Sequence, residues 1–331
     1  IMAGNGGIIG PVNTVTAGAT LSAKTTAFIA TGTFAVQCAA CGGTRTGSVL
    51  VVAGGGSGGS QGSGGGGAGG LRLLSCQTLP TSPVAVTIGA GGVGSGPTPI
   101  SPVESPGRQG CASVFAATPN PITSAGGGAG VHQLTNVCAG EGGSGGGGTG
   151  SSPDPEILAN GNEPPESPSQ GNPGGTGNQV ILGCNGGGGG GAGGAGVNAS
   201  APGNAAGGGG PGFDVTPVFG ASPQPFYNPF NGIYAGGGGG AYDSRNASSP
   251  GAGGPGGGTA GVGPGTSAAA AVNSGSGSGG GNYGPGGSGN SGNGGSGVVL
   301  VKEDATTLAS TAPGIWSMNT VYDFVKNGNW V

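Results

Sequence analysis

Charge is what this sequence has least of. Lys, Arg, Asp and Glu make up 5% of its 331 residues, and the formal net charge is −4. The seven basic residues, Lys24, Arg45, Arg72, Arg108, Arg245, Lys302 and Lys326, are scattered. Neutralising phosphates needs clustered Lys and Arg, so no nucleic-acid partner is expected. Aromatics are equally scarce at 5%, and the only indoles, Trp316 and Trp330, lie near the end of the chain. The remaining apolar residues are mostly Ala and Val, which cannot fill a large side-chain core. Stability must then come from backbone hydrogen bonding or from partner subunits. No run of eighteen apolar residues exists, so no membrane insertion is expected. The opening IMAGNGGIIGPVN has no basic segment leading into an apolar stretch, so a secretory signal is not visible. A protein of this kind working outside a cell would need another route, such as assembly on a virus particle released by lysis.

Histidine is represented once, by His132. Gly-x-Ser-x-Gly occurs at 55–59 and 142–146, but a nucleophile elbow needs a histidine base and a strand-to-helix setting. No acidic partner for His132 can be named. Matches to G-x-G-x-x-G are uninformative where Gly is this frequent, and no Gly-Lys-Ser/Thr follows them. The chain reads as a non-enzyme without cofactor or metal. Six cysteines (Cys38, Cys41, Cys76, Cys111, Cys138, Cys184) fit three disulfides, with 15 possible pairings. The Cys38–Cys41 spacing would need a second close pair to make a zinc site. Buried thiols or disulfides are the better reading.

What the sequence has in excess is glycine, 92 residues, with 26 prolines. Such a composition without a period ordinarily indicates disorder. Disordered chains, however, stay soluble through charge and lack apolar segments, and this chain has the opposite character. Eight glycine tracts recur, at 54–70, 126–130, 140–150, 186–196, 207–210, 235–241, 251–258 and 279–297. Collagen is excluded because Ser57, Ser60, Gln61 and Ser63 break any triplet phase. Linkers are excluded because no domains of adequate size lie between the tracts. The remaining solution is a bundle of polyglycine II helices, threefold rods with about 3.1 Å rise per residue. Without side chains, neighbouring backbones approach closely and hydrogen-bond to one another. Lone Ser, Ala or Thr insertions are then expected at exposed or edge positions.

Between the tracts lie β-prone runs at 27–37, 48–54, 83–89, 113–118, 179–183 and 297–303. Val84, Val86 and Ile88 alternate, as in a half-buried strand. Val49–Val52 and Val298–Val301 are continuous, as in strands covered on both faces. The fold class expected is mainly β and irregular: a small sandwich-like β-framework, a bundle of packed polyglycine II helices joined by long loops, and very little α-helix. The organisation expected is an N-terminal β/attachment region at 1–53, a glycine-rich bundle at 54–303 and a C-terminal aromatic docking tail at 304–331.

Three segments carry candidate contacts. GFDVTPVFGASPQPFYNPFNGIY (212–234) holds Phe213, Phe219, Phe226, Tyr227, Phe230 and Tyr234. A proline-interrupted loop of this length suits either receptor binding through exposed rings or a cap that buries them over the rods. The C-terminal PGIWSMNTVYDFVKNGNW (313–330) offers Trp316, Tyr322, Phe324 and Trp330 for docking, with a short helix from Ser317 or Asn319 to about Asn327. The Pro-rich acidic stretch 152–168 reads as a solvated loop without calcium-ligand spacing. Asn198 and Asn246 begin glycosylation sequons by pattern alone.

Five pieces, GNGGIIGPVNT, SVLVVAGGGSGGSQGSGGGGAGG (48–70), PVAVTIGAGGVG (83–94), GGSGVVLVKE (294–303) and PGIWSMNTVYDFVKNGNW (313–330), give the chain a family likeness. It resembles the glycine-rich structural proteins of tailed bacteriophages, particularly tail-fibre and adhesin proteins of marine phages. The resemblance implies sandwiches of polyglycine II helices whose connecting loops select the host receptor. It would place receptor contacts in loops such as 152–175 and 212–234, and the protein on the virion, outside the cell. The implied partners are other virion proteins of the tail or fibre and a host glycan or outer-membrane protein. A homotrimer would fit by analogy with phage fibres. The alternative is a purely structural virion part, a capsid decoration or fibre shaft, without receptor contact. The cysteines and long inserts depart from the pattern.

Overall fold

A computed structural model describes residues 20–37, 45–95, 107–132, 139–150, 159–180, 183–200, 205–227, 230–242, 249–282, 289–307 and 325–327. Trp316, Tyr322, Phe324, Trp330 and most of the expected C-terminal helix lie outside these residues, as do Cys38, Cys41 and Cys138.

One end of the molecule is a β-sandwich. Its first sheet contains β2 (Lys24–Phe28), β4 (Arg45–Val52), β5 (Leu71–Leu79) and β13 (Val298–Glu303), in the order β2-β13-β4-β5. The second has the order β3 (Gly32–Phe34), β6 (Val84–Thr87), β7 (Ser113–Phe115), β8 (Ile122–Ser124). All pairings are antiparallel, and β13 lies between β2 and β4, with Val299 opposite both Phe28 and Val51. The first and last strands of the glycine region therefore share one sheet. Along β4 and β13, alternate residues face opposite ways. Val49, Val51, Val299 and Val301 enter the core between the sheets with Phe34, Val86 and Phe115. Leu50, Val52, Val298 and Leu300 enter a second core on the outer face of the sheet. That double burial is why these strands read as continuous apolar runs.

The strands do not end in turns at the glycine side; they run on as rods. β4 continues into residues 53–59, and rod 63–70 returns into β5. In the same way β6 leads into 89–95, rod 107–112 into β7, β8 into 125–131, and rod 289–297 into β13. The boundary expected at residue 53 thus falls inside one uninterrupted stretch of chain. β5 and β8 lay outside the expected runs. β5 is leucine-rich, not β-branched, and carries a bulge opposite Ser48 that places Cys76 at φ 55°.

Hydrogen bonding in the bundle repeats every third residue. Along rod 64–70, Gly64, Gly67 and Gly70 donate N–H to the carbonyls of Val131, Gly128 and Ala125. Gly65 and Ala68 donate to Gly187 and Gly190, and Gly66 and Gly69 to Ser278 and Gly275. Partner numbers that fall by three mark antiparallel neighbours, and those that rise by three mark a parallel one. The same rod accepts from Gly59, Gly56 and Ala53, from Gly147 and Ser144, and from Gly238. It therefore has six neighbours, three as acceptors and three as donors. A threefold helix in a hexagonal bundle satisfies its backbone in this way.

Close approach requires glycine. A Cβ on Gly66 would lie 2.2 Å from the Gly56 carbonyl oxygen, and one on Gly188 would lie 1.8 Å from that of Gly208. The expectation that Ser and Ala mark exposed positions is met on the perimeter and overturned inside. Ala90, Val93, Ala268 and Ala269 face outward, but Ser57, Ser63, Ser276 and Ser278 are fully buried. The interior serines bridge rods. Ser278 Oγ accepts from Gly58 N–H at 3.1 Å and donates to Gly292 O at 2.5 Å; Ser276 Oγ accepts from Gly236 N–H and donates to Gly256 O. A hydroxyl is both donor and acceptor, so it fits where the spacing between rods leaves a backbone group without a direct partner.

The two serines of the Gly-x-Ser-x-Gly matches have no solvent exposure, and Ser57 Oγ donates to Val93 O at 2.9 Å. Cys76 and Cys111 are exposed and not disulfide-bonded in this structure, so they are not the buried thiols expected of these positions. Cys184 is buried, 3.4 Å from Thr149 Oγ1. Among the described residues no helix is long and apolar enough to cross a membrane.

Candidate functional site

The aromatic segment folds against the outer face of the first sheet. It opens with β11 (Phe213–Asp214) and closes with β12 (Ile233–Tyr234), which pair antiparallel. Between them lies the four-residue helix α1 (Thr216–Phe219). Asp214 Oδ1 accepts the Thr216 N–H, and Gly220, at φ 98°, ends the helix by donating its N–H to Thr216 O. Phe219, Tyr227 and Tyr234 pack with Val215 on Leu50, Val52, Leu71, Val298 and Leu300. Their rings meet edge to face in series: Phe219 with Phe226, Phe226 with Tyr227, and Tyr227 with Tyr234. Lys302 Nζ donates to Val218 O at 2.6 Å and ties the segment to β13.

Of the two arrangements expected for this loop, three of its six rings take the buried, capping one. Phe219, Tyr227 and Tyr234 are at most 4% exposed. The sheet beneath them presents Leu50, Val52 and Leu300, and the segment that follows rod 205–212 covers it. Phe226 and Phe230 are half-buried, and Phe213, 40% exposed, is the one ring left largely in solvent. Burial, followed by the charge of Asp214, raises the Tyr227 phenol to about 12; burial, followed by Tyr227, raises that of Tyr234 further. The Tyr234 hydroxyl donates to Phe226 O, whereas that of Tyr227 has no partner.

The acidic stretch also docks in part. Glu166 pairs with Arg72 at 3.1 Å, and Gln170 is buried, with its Oε1 accepting the Ala125 N–H. Residues 152–158 of that stretch lie outside the described residues.

Rods reverse at both ends of the bundle: tightly near the sandwich, as where Gly191 N–H bonds Gly194 O, and through longer connections at the opposite end. Rod 53–59 reverses through Ser60–Gly62 into rod 63–70. Rods ending at Ser95, His132, Thr149, Ser200, Tyr242 and Asn282 resume at residues 107, 139, 159, 205, 249 and 289. The β9 (Asn178–Val180) and β10 (Gly183–Asn185) hairpin sits at this end too, since Cys184 Sγ and Thr149 Oγ1 both reach Gly62 O. Gly281 N–H to Gly59 O and Ala241 N–H to Ser63 O fix two further rod ends beside them. At the sandwich end, a cavity of about 420 Å³ opens between the β5 bulge and the β7–β8 turn, with Leu79, Phe115 and Ile122 as its floor and Cys76, Gln77 and Asn120 at its rim.

A family model described as a glycine-rich domain matches residues 25–303. The chain belongs to this glycine-rich domain family. The matched limits have a structural meaning, since Thr25 pairs with Lys302 and Lys24 with Glu303. The glycine-rich domain is thus the sandwich and the bundle together, closed by the pairing of its first and last strands. The short β1 (Thr20–Leu21) and β14 (Thr306–Thr307) pair just beyond it. No curated protein matches the chain.

Proposed function

We propose that this glycine-rich domain is a non-catalytic display scaffold of a virion, a tail-fibre or adhesin component that holds loops against a host cell-surface glycan or outer-membrane protein. The observation that carries this reading is that the rod ends joined by the longer connections gather at one pole. Each crossover is anchored at both ends on rods whose N–H and C=O groups are bonded to neighbours, so variable loops can differ without disturbing the scaffold. The sandwich, at the other pole, is the end suited to attachment to other virion proteins. Placement on the virion follows the resemblance to phage fibre proteins, and with Phe219, Tyr227 and Tyr234 buried, the connections between rods are the better candidates for receptor contact.

The test is competition of purified protein with particle adsorption to host cells. Replacing 96–106, 151–158 or 243–248 by Gly-Ser sequence of equal length should weaken competition for at least one segment while the melting temperature stays unchanged. Undiminished competition by all three replacements contradicts the reading. It would favour a fibre-shaft or capsid-decoration role, which particle imaging would then place away from the tail tip.

A further inference from the structure

The two sides of the sandwich end in edge strands that are protected unequally. An unpaired strand edge invites pairing with another chain, and short length or a lysine blunts it. On one side β2 and β3 lie together, joined by the edge-to-face contact of Phe28 with Phe34. There β2 carries exposed Lys24, and β3 has only three residues. On the other side β5 and β8 lie together, since Arg72 Nη1 reaches Thr123 O at 3.4 Å. Here β5 is nine residues long, LRLLSCQTL, and has no lysine.

A loop from the bundle occupies this second edge. Residues 161–172 leave and re-enter side by side, because a Cβ on Gly161 would lie 2.3 Å from Asn172 O. Such an Ω-loop is packed by its own side chains. Asn162, at φ 60°, organises it: Oδ1 accepts the N–H groups of Glu166 and Gln170, and Nδ2 donates to Glu166 O. The Asn162 and Glu163 N–H groups root the loop on Gly143 O and Gly142 O. Gln170, 1% exposed, then stands where a neighbouring strand would. Its backbone carbonyl accepts the Leu71 N–H at 2.8 Å, and its Oε1 accepts the N–H of Ala125, just beyond β8, at 2.8 Å. Glu166 holds Arg72 beside it. Alternation along β5 turns the N–H and C=O of Leu73 the same way as those of Leu71, and no strand pairs with them.

We propose that this loop is an autoinhibitory strap: it holds closed an edge that otherwise adds the β5 strand of a second copy. The edge is complementary to itself. Antiparallel pairing about Leu73 sets Arg72 opposite Leu74 of the second copy, so no like charges meet and the two first sheets become one. The bulge after Leu74 confines this pairing to the half of β5 beside the strap. Gln170 and Glu166 cover Leu71 and Arg72 in that half, so strap and second copy exclude each other.

The test is hydrogen exchange with sedimentation velocity on the full chain, unaltered and with Asn162→Gly. Glycine keeps the positive φ while all three side-chain bonds are lost. In the unaltered chain the Leu71 and Ala125 amides should exchange slowly, and that of Leu73 fast at every concentration. The Asn162→Gly chain should dimerise at least about tenfold more tightly, with the Leu73 amide gaining protection as concentration rises. Adding Leu73→Lys, which opposes like charges in the paired form, should abolish that dimer. If Asn162→Gly exposes the Leu50 amide, or leaves that of Leu71 protected, Gln170→Ala decides by the same readings. Fast exchange at Leu71 and Ala125 without added dimerisation overturns the proposal and leaves the loop a structural tie. A dimer that survives Leu73→Lys overturns it too, as does an unaltered chain whose Leu73 amide is already protected by dimerisation.

Discussion

The sandwich and the rod bundle are two buried cores in one chain, made from opposite materials. In the sandwich, strands are held about 5 Å apart within a sheet, and sheets are spaced by side chains such as Phe34, Val51 and Phe115. In the bundle there is no such spacer: the backbone of rod 64–70 touches backbone on all sides and bonds to it in a triplet pattern. Burial in the first core is driven by removing apolar area from water. In the second it rests on backbone hydrogen bonds, which offset the large conformational entropy lost on ordering glycine. The lesson is that the two cores should fail in different ways. A core of side chains is weakened by making residues smaller, whereas a core of backbone is weakened by making them larger.

The largest effect should come from enlarging the bundle. Gly66→Ala places a methyl 2.2 Å from a carbonyl oxygen of a rod bonded on its other sides, so a loss above about 4 kcal/mol is expected. In expression trials it should give little folded protein. Next is a truncation in the sandwich sheet: Leu50→Ala, with a fully buried side chain, should cost about 2–5 kcal/mol by denaturant unfolding. Ser278→Ala removes an interior bridge and leaves the Gly58 N–H and Gly292 O without partners. About 1–3 kcal/mol should be lost, although the substitution makes the residue smaller. The smallest effect should come from a perimeter glycine. Around Gly208 the nearest atom to an added Cβ is 3.6 Å away, so Gly208→Ala should be neutral or stabilise by up to about 1 kcal/mol. Equal effects of Gly66→Ala and Gly208→Ala would erase the distinction between a packed bundle and loose coil.

The comparison can also be sharpened by pH. Tyr227 and Tyr234 are neutral in the folded cap, with phenols raised above the ordinary value of 10.0. Above that pH the unfolded chain loses phenolic protons that the folded chain retains, so stability is full below pH 10 and falls as pH rises through about 12. Tyr227→Phe should remove part of this alkaline loss, and at neutral pH it should be tolerated because the hydroxyl has no partner. Thermal melts between pH 8 and 12 would show it; an unchanged alkaline limb in the variant would place the ring in water.

Much of this fold was legible in the residues. Glycine tracts without collagen phase indicated rods, and the unbroken Val49–Val52 and Val298–Val301 runs indicated strands covered on both faces. The alternation of Val84 and Val86 indicated a half-buried strand. What was not legible depended on long-range placement. Nothing local distinguishes Ser278, which is buried as a bridge, from a serine on a perimeter rod. Its role comes from Gly58 and Gly292, far away in sequence. The β5 strand was hidden because Leu71–Leu79 contains a Ser-Cys bulge and no β-branched residue until Thr78. The aromatic loop allowed two readings, and only the apolar outer face of the first sheet decides between them. It draws Phe219, Tyr227 and Tyr234 inward and leaves Phe213 outside.

Hydrogen exchange on the intact domain tests the central claim most directly, because the claim concerns backbone amides. If the glycine tracts are cross-bonded rods, the amides of Gly64–Gly70 should exchange as slowly as that of Leu50 in the sheet, while those of Ser60–Gly62 at the rod reversal exchange faster. Exchange of Gly64–Gly70 at the rate of an unstructured chain, with Leu50 still protected, would contradict the account.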